Sequence, residues 1–103
     1  MNDCKFFGKI VSRSITKKYD TSKIELGVSV QKQRKSKSGL TVLENAVLNF
    51  EAWDSAAETI EHNSTVGDFL VISSTAKIRE NSKEVYFRIN EFKIVSSNNL
   101  VDA

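Results

Sequence analysis

The sequence has no proline and only four glycines, Gly8, Gly27, Gly39 and Gly67, in 103 residues. That excludes a Pro/Gly-rich linker or a low-complexity chain and leaves Ser and Asn to make most of the turns. Cysteine and histidine are equally scarce, with Cys4 and His62 the single examples of each. No internal disulfide can form, the usual zinc cages of several Cys and His are excluded, and a reducing interior fits best. No stretch approaches the ~20 apolar residues of a membrane span. The start, Met1-Asn2-Asp3-Cys4-Lys5, lacks the charged-then-apolar order of a secretory signal, so the chain is expected to be soluble and to stay where it is made. What remains is ordinary globular material, 40% hydrophobic, 27% charged and 9% aromatic, enough for one domain with one modest core.

The net charge of +2 hides a division. Met1 to Gly39 carries ten Lys/Arg against Asp3, Asp20 and Glu25, whereas Leu40 to Ala103 carries five against ten. No basic residue occurs between Leu40 and Ala76. Such asymmetry suggests one positive face, densest at Lys32, Arg34, Lys35 and Lys37. Taken alone, that run is equally a solvated loop.

Residues Lys23 to Lys32 alternate, with Ile24, Leu26, Val28 and Val30 on one side, as in a half-buried strand. Before them, Lys5 to Ile15 is rich in β-formers, and Lys17 to Ser22 is expected to turn the two into a hairpin. The basic run follows as a loop. Leu40 to Trp53 then places Leu40, Val42, Ala46, Leu48, Phe50 and Ala52 on one face, and Leu43, Val47 and Trp53 on the other among polar neighbours. Ser55-Ala56-Ala57-Glu58 has the form of a capping box, so a short helix from Ser55 to about His62 is expected, with Ala56, Ile60 and Thr59 turned inward. Phe69 to Arg79 and Glu84 to Val95 complete the set as strands joined by Glu80-Asn81-Ser82-Lys83.

Three strands, a helix and two strands is the element order of an OB-fold, the five-stranded Greek-key barrel. The fold expected is therefore all-β, with one short helix between strands 3 and 4. A β-sandwich usually needs about seven strands.

Catalysis finds little support, and no cofactor is expected. Cys4 and His62 lie far apart with no motif around them, and no phosphate-cradling Gly-rich loop is present. Binding of single strands fares better, because it needs a positive groove and exposed rings on which bases stack. The candidates are Lys32, Arg34, Lys35 and Lys37 in the loop between strands 2 and 3, Trp53 ending strand 3, Lys77 and Arg79 on strand 4, and Tyr86 and Arg88 on strand 5. Each has a structural alternative: Trp53 as a lid over the helix, Tyr86 as an ordinary outward residue, Arg88 as an ion-pair partner of Glu84 or Glu91. Phe6, Phe7, Phe50, Phe69 and Phe87 are taken as core.

Phe6-Phe7-Gly8-Lys9-Ile10, Phe50-Glu51-Ala52-Trp53-Asp54-Ser55-Ala56-Ala57-Glu58 and Gly67 resemble the single-stranded DNA-binding proteins of bacterial type, especially small virus-encoded members, over roughly Cys4 to Val95. The resemblance implies a base-stacking position at Trp53, with residues 1–96 as the DNA-binding domain and 97–103 as a flexible end. It further implies a homo-oligomer, dimer or tetramer, in the cytoplasm of a prokaryotic or virus-infected cell. Departures are Ser73-Ser74 where the family usually has Glu-Gly, Val47 at the other stacking position of strand 3, and no tryptophan near Gln31 to Gln33. The family commonly ends in an acidic tail that recruits partners, whereas this sequence ends Asn98-Asn99-Leu100-Val101-Asp102-Ala103: the tail is missing, or nothing is recruited that way. The expected function is sequence-independent binding and protection of single-stranded DNA in replication, recombination or repair, with replication proteins as further partners. The alternatives are an OB-fold interaction module of a replication complex that touches nucleic acid weakly or not at all, and an RNA-binding OB domain.

Overall fold

The hydrophobic alternation of every strand resolves into a single closed surface. In the computed structural model, which describes residues 2–96 apart from the side chains of residues 32–34, β1 (Cys4–Lys18), β2 (Thr21–Lys35), β3 (Thr41–Trp53), β4 (Phe69–Ile78) and β5 (Val85–Val95) form a barrel in the order β1-β2-β3-β5-β4. The expected loose end, residues 97–103, lies outside the described residues. Neighbouring strands run antiparallel except where β3 meets β5 in parallel, through Phe50–Phe87 and Glu51–Arg88. One helix, α1 (Asp54–Asn63), joins β3 to β4. This is the fold the element order implied.

Ile10, Ile24, Leu26, Val28, Phe50, Leu70, Ile72 and Ile89 point inward and are buried. Each such side chain contributes about 1.5–3 kcal/mol when fully buried. Phe6, Phe50 and Phe87 meet as a cluster with centroids 4.9–5.4 Å apart, Phe6 edge-on to both others. Phe7 and Phe69, expected in the core, instead stack on each other outside the barrel at 5.4 Å, and Phe7 is 50% exposed. The cause is strand parity: Phe6 and Gly8 take the inward positions on either side of Phe7.

Ala57 and Ile60 of α1 are buried. Ala56 is only half-buried, and Thr59 is exposed, its hydroxyl donating to the Ser55 carbonyl at 2.9 Å. The expected capping box does not form, and no side chain caps the helix start. Asp54 carries the change of direction in a left-handed conformation (φ 53°). Its carboxylate accepts from the Ser22 backbone N–H (3.2 Å), while Glu58 accepts from the Ser22 hydroxyl (3.3 Å). Asp54 and the Glu58 expected in the capping box are thus both drawn across to β2. At the other end Arg13 donates to the carbonyls of Ser64 (2.6 Å) and Glu61 (3.1 Å), placing a cation at the negative end of the helix dipole.

Three further departures bear on the site. The first turn is shorter than expected: Lys18 pairs with Thr21, which leaves only Tyr19-Asp20 between β1 and β2. Opposite Ser73 and Ser74 the register shifts by one extra residue, Asn90 of β5, and the buried Ser74 hydroxyl donates to the Cys4 carbonyl at 2.8 Å. The Ser73-Ser74 pair that stands where the resembled family has Glu-Gly thus faces a bulge in β5. Most consequential, the basic run is not a loop. Backbone pairing continues through Lys32–Glu44 and Arg34–Val42 to Lys35–Thr41, because the polar backbone groups satisfy each other whatever the side-chain charge. Beyond Val30 no third strand joins this hairpin among the described residues.

Candidate nucleic-acid interface

Outward positions of β2, β3, β5 and β4 make one continuous surface. Lys23 pairs with Trp53, Glu25 with Glu51, Glu51 with Arg88, Arg88 with Thr75, and Tyr86 with Lys77. Strand register therefore sets Arg88 beside Glu51, two residues from Trp53, with Tyr86 and Lys77 two residues further along the same face on the side away from Trp53. Arg79 is the first residue after β4, and its guanidinium lies 4.2 Å from the centroid of the Tyr86 ring.

Trp53 is 37% exposed, so it is not a core lid over α1. Its ring is bordered by two cations, Lys23 Nζ at 5.3 Å and Arg88 Cζ at 5.8 Å from the centroid. Both are held by Glu51, which is only 2% exposed. The indole N–H donates to Glu51 Oε1 at 3.0 Å, and Arg88 donates to the same oxygen through Nε (3.2 Å) and Nη2 (3.0 Å). Lys23 Nζ lies 3.6 Å from the other oxygen, Oε2, and 2.9 Å from Glu25 Oε1. Arg88 thus has an acidic partner, but it is Glu51 and neither Glu84 nor Glu91. Among the described residues, no buried side-chain nitrogen or oxygen lacks a hydrogen-bond partner.

Burial raises the pKa of Glu51. Hydrogen bonds from Trp53 and Arg88, with the charges of Lys23 and Arg88, outweigh it and leave the carboxyl below its ordinary value. The hydrogen bond to Glu25 is the main cause that lifts Lys23 above its usual value, against the opposing effect of burial. Glu51 is therefore a carboxylate and Lys23 an ammonium at neutral pH. One buried anion fixes the edge of an indole and two flanking cations.

The basic arm is elsewhere. Lys35 is opposite Thr41, whereas Trp53 is opposite Lys23. Twelve residue-to-residue steps along β3 separate these two pairs, about 40 Å at ~3.3 Å per step. Lys35 and Lys37 are exposed at the arm's end, where Ser36 and Leu40 close the turn and Gly39 supplies the positive φ of 86°. The basic run and the indole, both expected to serve one groove, do not meet: they share a hairpin but occupy its opposite ends. The side chains of Lys32 and Arg34 lie outside the described residues.

Sequence reading overlooked Lys23 and Glu51. Lys23 was visible only as one of several polar positions on β2, and nothing in the alternation marks Glu51 as buried. Neither Cys4 nor His62 contributes here: Cys4 is near Asn2, and His62 faces solvent on α1. No group of three or more His, Cys, Asp and Glu suited to a metal ion occurs among the described residues. No helix among them is long and apolar enough to cross a membrane.

Comparison by sequence finds no matching family and no matching curated protein. Comparison by structure finds many. A deletion mutant of the single-stranded DNA binding protein from Thermus aquaticus aligns with 96% of this chain at a TM-score of 0.82 and 11% identity. The second single-stranded DNA binding protein of Mycobacterium smegmatis covers 96% at 0.74 and 13%, with 91% of its own chain included. The protein PriB from Ralstonia solanacearum covers 90% at 0.69 and 10%, with 96% of its own chain included. The likeness is one of fold. This chain is an OB-fold of the kind seen in bacterial single-stranded DNA-binding proteins, and it spans about half (52%) of the Thermus aquaticus chain.

Proposed function

We propose that this protein binds single-stranded DNA without sequence preference and covers exposed strands during replication, recombination or repair. The observation that carries the reading is the open indole of Trp53 with Lys23 and Arg88 at its ring, beside Tyr86 and Arg79, on one face of an OB barrel. Rings of this kind stack bases of any identity, and cations beside them take the phosphates. Trp53 and Tyr86 are the stacking residues in this reading, with Lys77, Arg79 and Arg88 as phosphate contacts. Lys32, Arg34, Lys35 and Lys37 extend the path along the β2–β3 arm. The residues act by binding alone, as a coat rather than a catalyst.

The outer face of β1 and β4 supports a homo-oligomer. Phe7 and Val71 are opposite each other and exposed, and Phe7 stacks on Phe69. We assign residues 1–96 as one binding domain. Its setting is the cytoplasm of a prokaryotic or virus-infected cell, and the virus-encoded origin rests on the sequence resemblance.

Trp53 is the only tryptophan, so its fluorescence reports directly. Oligothymidine should quench it, and log affinity should fall with log salt at about −0.7 per phosphate contacted. Trp53→Ala should weaken binding by about 1–3 kcal/mol. Unquenched emission together with unchanged affinity in the variant would refute the reading. A salt-independent affinity would favour an interaction module instead, and competition between matched DNA and RNA oligomers excludes or supports an RNA ligand through the 2′-hydroxyl.

A further inference from the structure

Beside the indole, the β1–β2 turn forms a second wall. Thr16, Lys18, Tyr19, Thr21, Lys23 and Trp53 line an open, largely apolar cleft of about 310 Å³. That is the small end of the range of ligand clefts, room for one flat ring system rather than an extended molecule. Two of the six lining residues are aromatic, one on each wall, and each has its own ammonium: Lys23 Nζ lies 5.3 Å from the Trp53 centroid and Lys18 Nζ 5.9 Å from that of Tyr19.

Tyr19 occupies this position against local preference. It is the first residue of a two-residue hairpin turn and has φ 55°, a conformation that Gly or Asn adopts readily and an aromatic residue does not. The ring is 96% exposed, so no packing in the barrel compensates. A strained, uncovered ring facing an apolar cleft beside a second ring is the arrangement of a ligand clamp.

We infer that this cleft is a subsite for a single nucleobase, gripped between Tyr19 and Trp53, with Lys18 and Lys23 neutralising the phosphates on either side of it. The inference rests on the single-strand reading above and extends the strand path from β3 across to the β1–β2 turn. Phosphate without a base would meet only the two ammonium groups, and an apolar solute only the rings. A nucleotide unit satisfies both.

The test uses the full chain and oligothymidine carrying 5-iododeoxyuridine, whose photoadducts form on stacked aromatic rings. Adducts are expected on both Tyr19 and Trp53. Tyr19→Ala should weaken oligothymidine binding roughly 5- to 150-fold, the range of one base–ring stack, while Trp53 quenching at saturation persists. Tyr19→Phe should bind as the unaltered protein does. Because Tyr19 makes no core contact, both variants should melt at the unaltered temperature. Binding of Tyr19→Ala within twofold of the unaltered protein, or adducts on Trp53 alone, would overturn the clamp and leave the single-strand reading standing. Loss of binding in Tyr19→Phe would also overturn it, since the hydroxyl rather than the ring would then be responsible. Absence of Trp53 quenching in the unaltered protein, together with unchanged affinity in Trp53→Ala, would remove the single-strand reading, and this inference with it.

Discussion

Glu51→Gln separates the two roles of the anion under the indole, its contribution to stability and its hold on the cations. The amide keeps the size of the side chain and one acceptor oxygen, but removes the charge that faces Arg88 at 3.0 Å and Lys23 at 3.6 Å. Breaking a fully buried ion pair costs about 3–5 kcal/mol because a bare charge is left inside. Here the Arg88 side chain is 41% exposed and can turn to water, so the loss should be nearer that of hydrogen bonds to a charged group, about 1.5–3 kcal/mol. Urea unfolding at neutral pH measures it. The sign of the pH dependence follows from the depressed pKa of Glu51 in the folded state. Its stabilisation is present at neutral pH and is lost as pH falls from the ordinary glutamate range through the lower folded value. The variant should therefore lose less stability than the unaltered protein over that acid window. Binding should change in the opposite sense, because Arg88 then meets phosphate without a carboxylate competing for its charge, whereas Lys23 keeps Glu25 at 2.9 Å. The slope of log affinity against log salt should steepen by up to about 0.7. Equal stability at neutral pH with an unchanged salt slope would show that Glu51 neither anchors the face nor masks its charge.

Gly8→Ala should destabilise the barrel by about 1–3 kcal/mol in urea unfolding, because the added Cβ would lie 2.5 Å from the backbone carbonyl oxygen of Ser29 and 2.7 Å from Val28 Cγ1. Wild-type stability would mean that β1 and β2 separate there at little cost. Phe7→Asp, on the outer face, should leave the monomer folded and lower the molar mass measured by light scattering, since it places a charge amid Phe69 and Val71; an unaltered mass would place the oligomer contact elsewhere.

Period-two alternation made the barrel legible because one face of each strand is buried. Ile24, Leu26, Val28 and Phe50 could point nowhere else, and the single break in period after Trp53 located the helix. The same signal was silent on length. Lys17, Lys18, Arg34 and Lys35 are polar residues whose backbones continue the ladder, so charged runs that resembled turns are strand. The capping-box sequence misled for a related reason: Glu58 has a partner in Ser22, a residue 36 positions away, that local pattern cannot display. Phe7 and Phe69 show the limit from the other side, since aromatic identity predicts burial only when parity agrees.

For the candidate site, parity correctly put Trp53, Tyr86 and Arg88 outside, but it carries no information about which end of a hairpin faces which neighbour. That depends on the parallel meeting of β3 with β5 at Phe50 and Glu51, a long-range register that fixes Arg88 under the indole and leaves the lysine-rich arm about 40 Å away. The separation has a functional consequence. A stacked strand advances ~3.4 Å per nucleotide, so a ligand touching both Trp53 and the arm must span about a dozen nucleotides, within the roughly 4–16 that one OB-fold occupies. Positive charge is instead distributed along the hairpin, with Lys23 and Arg88 at the indole and Lys35 and Lys37 at the far end.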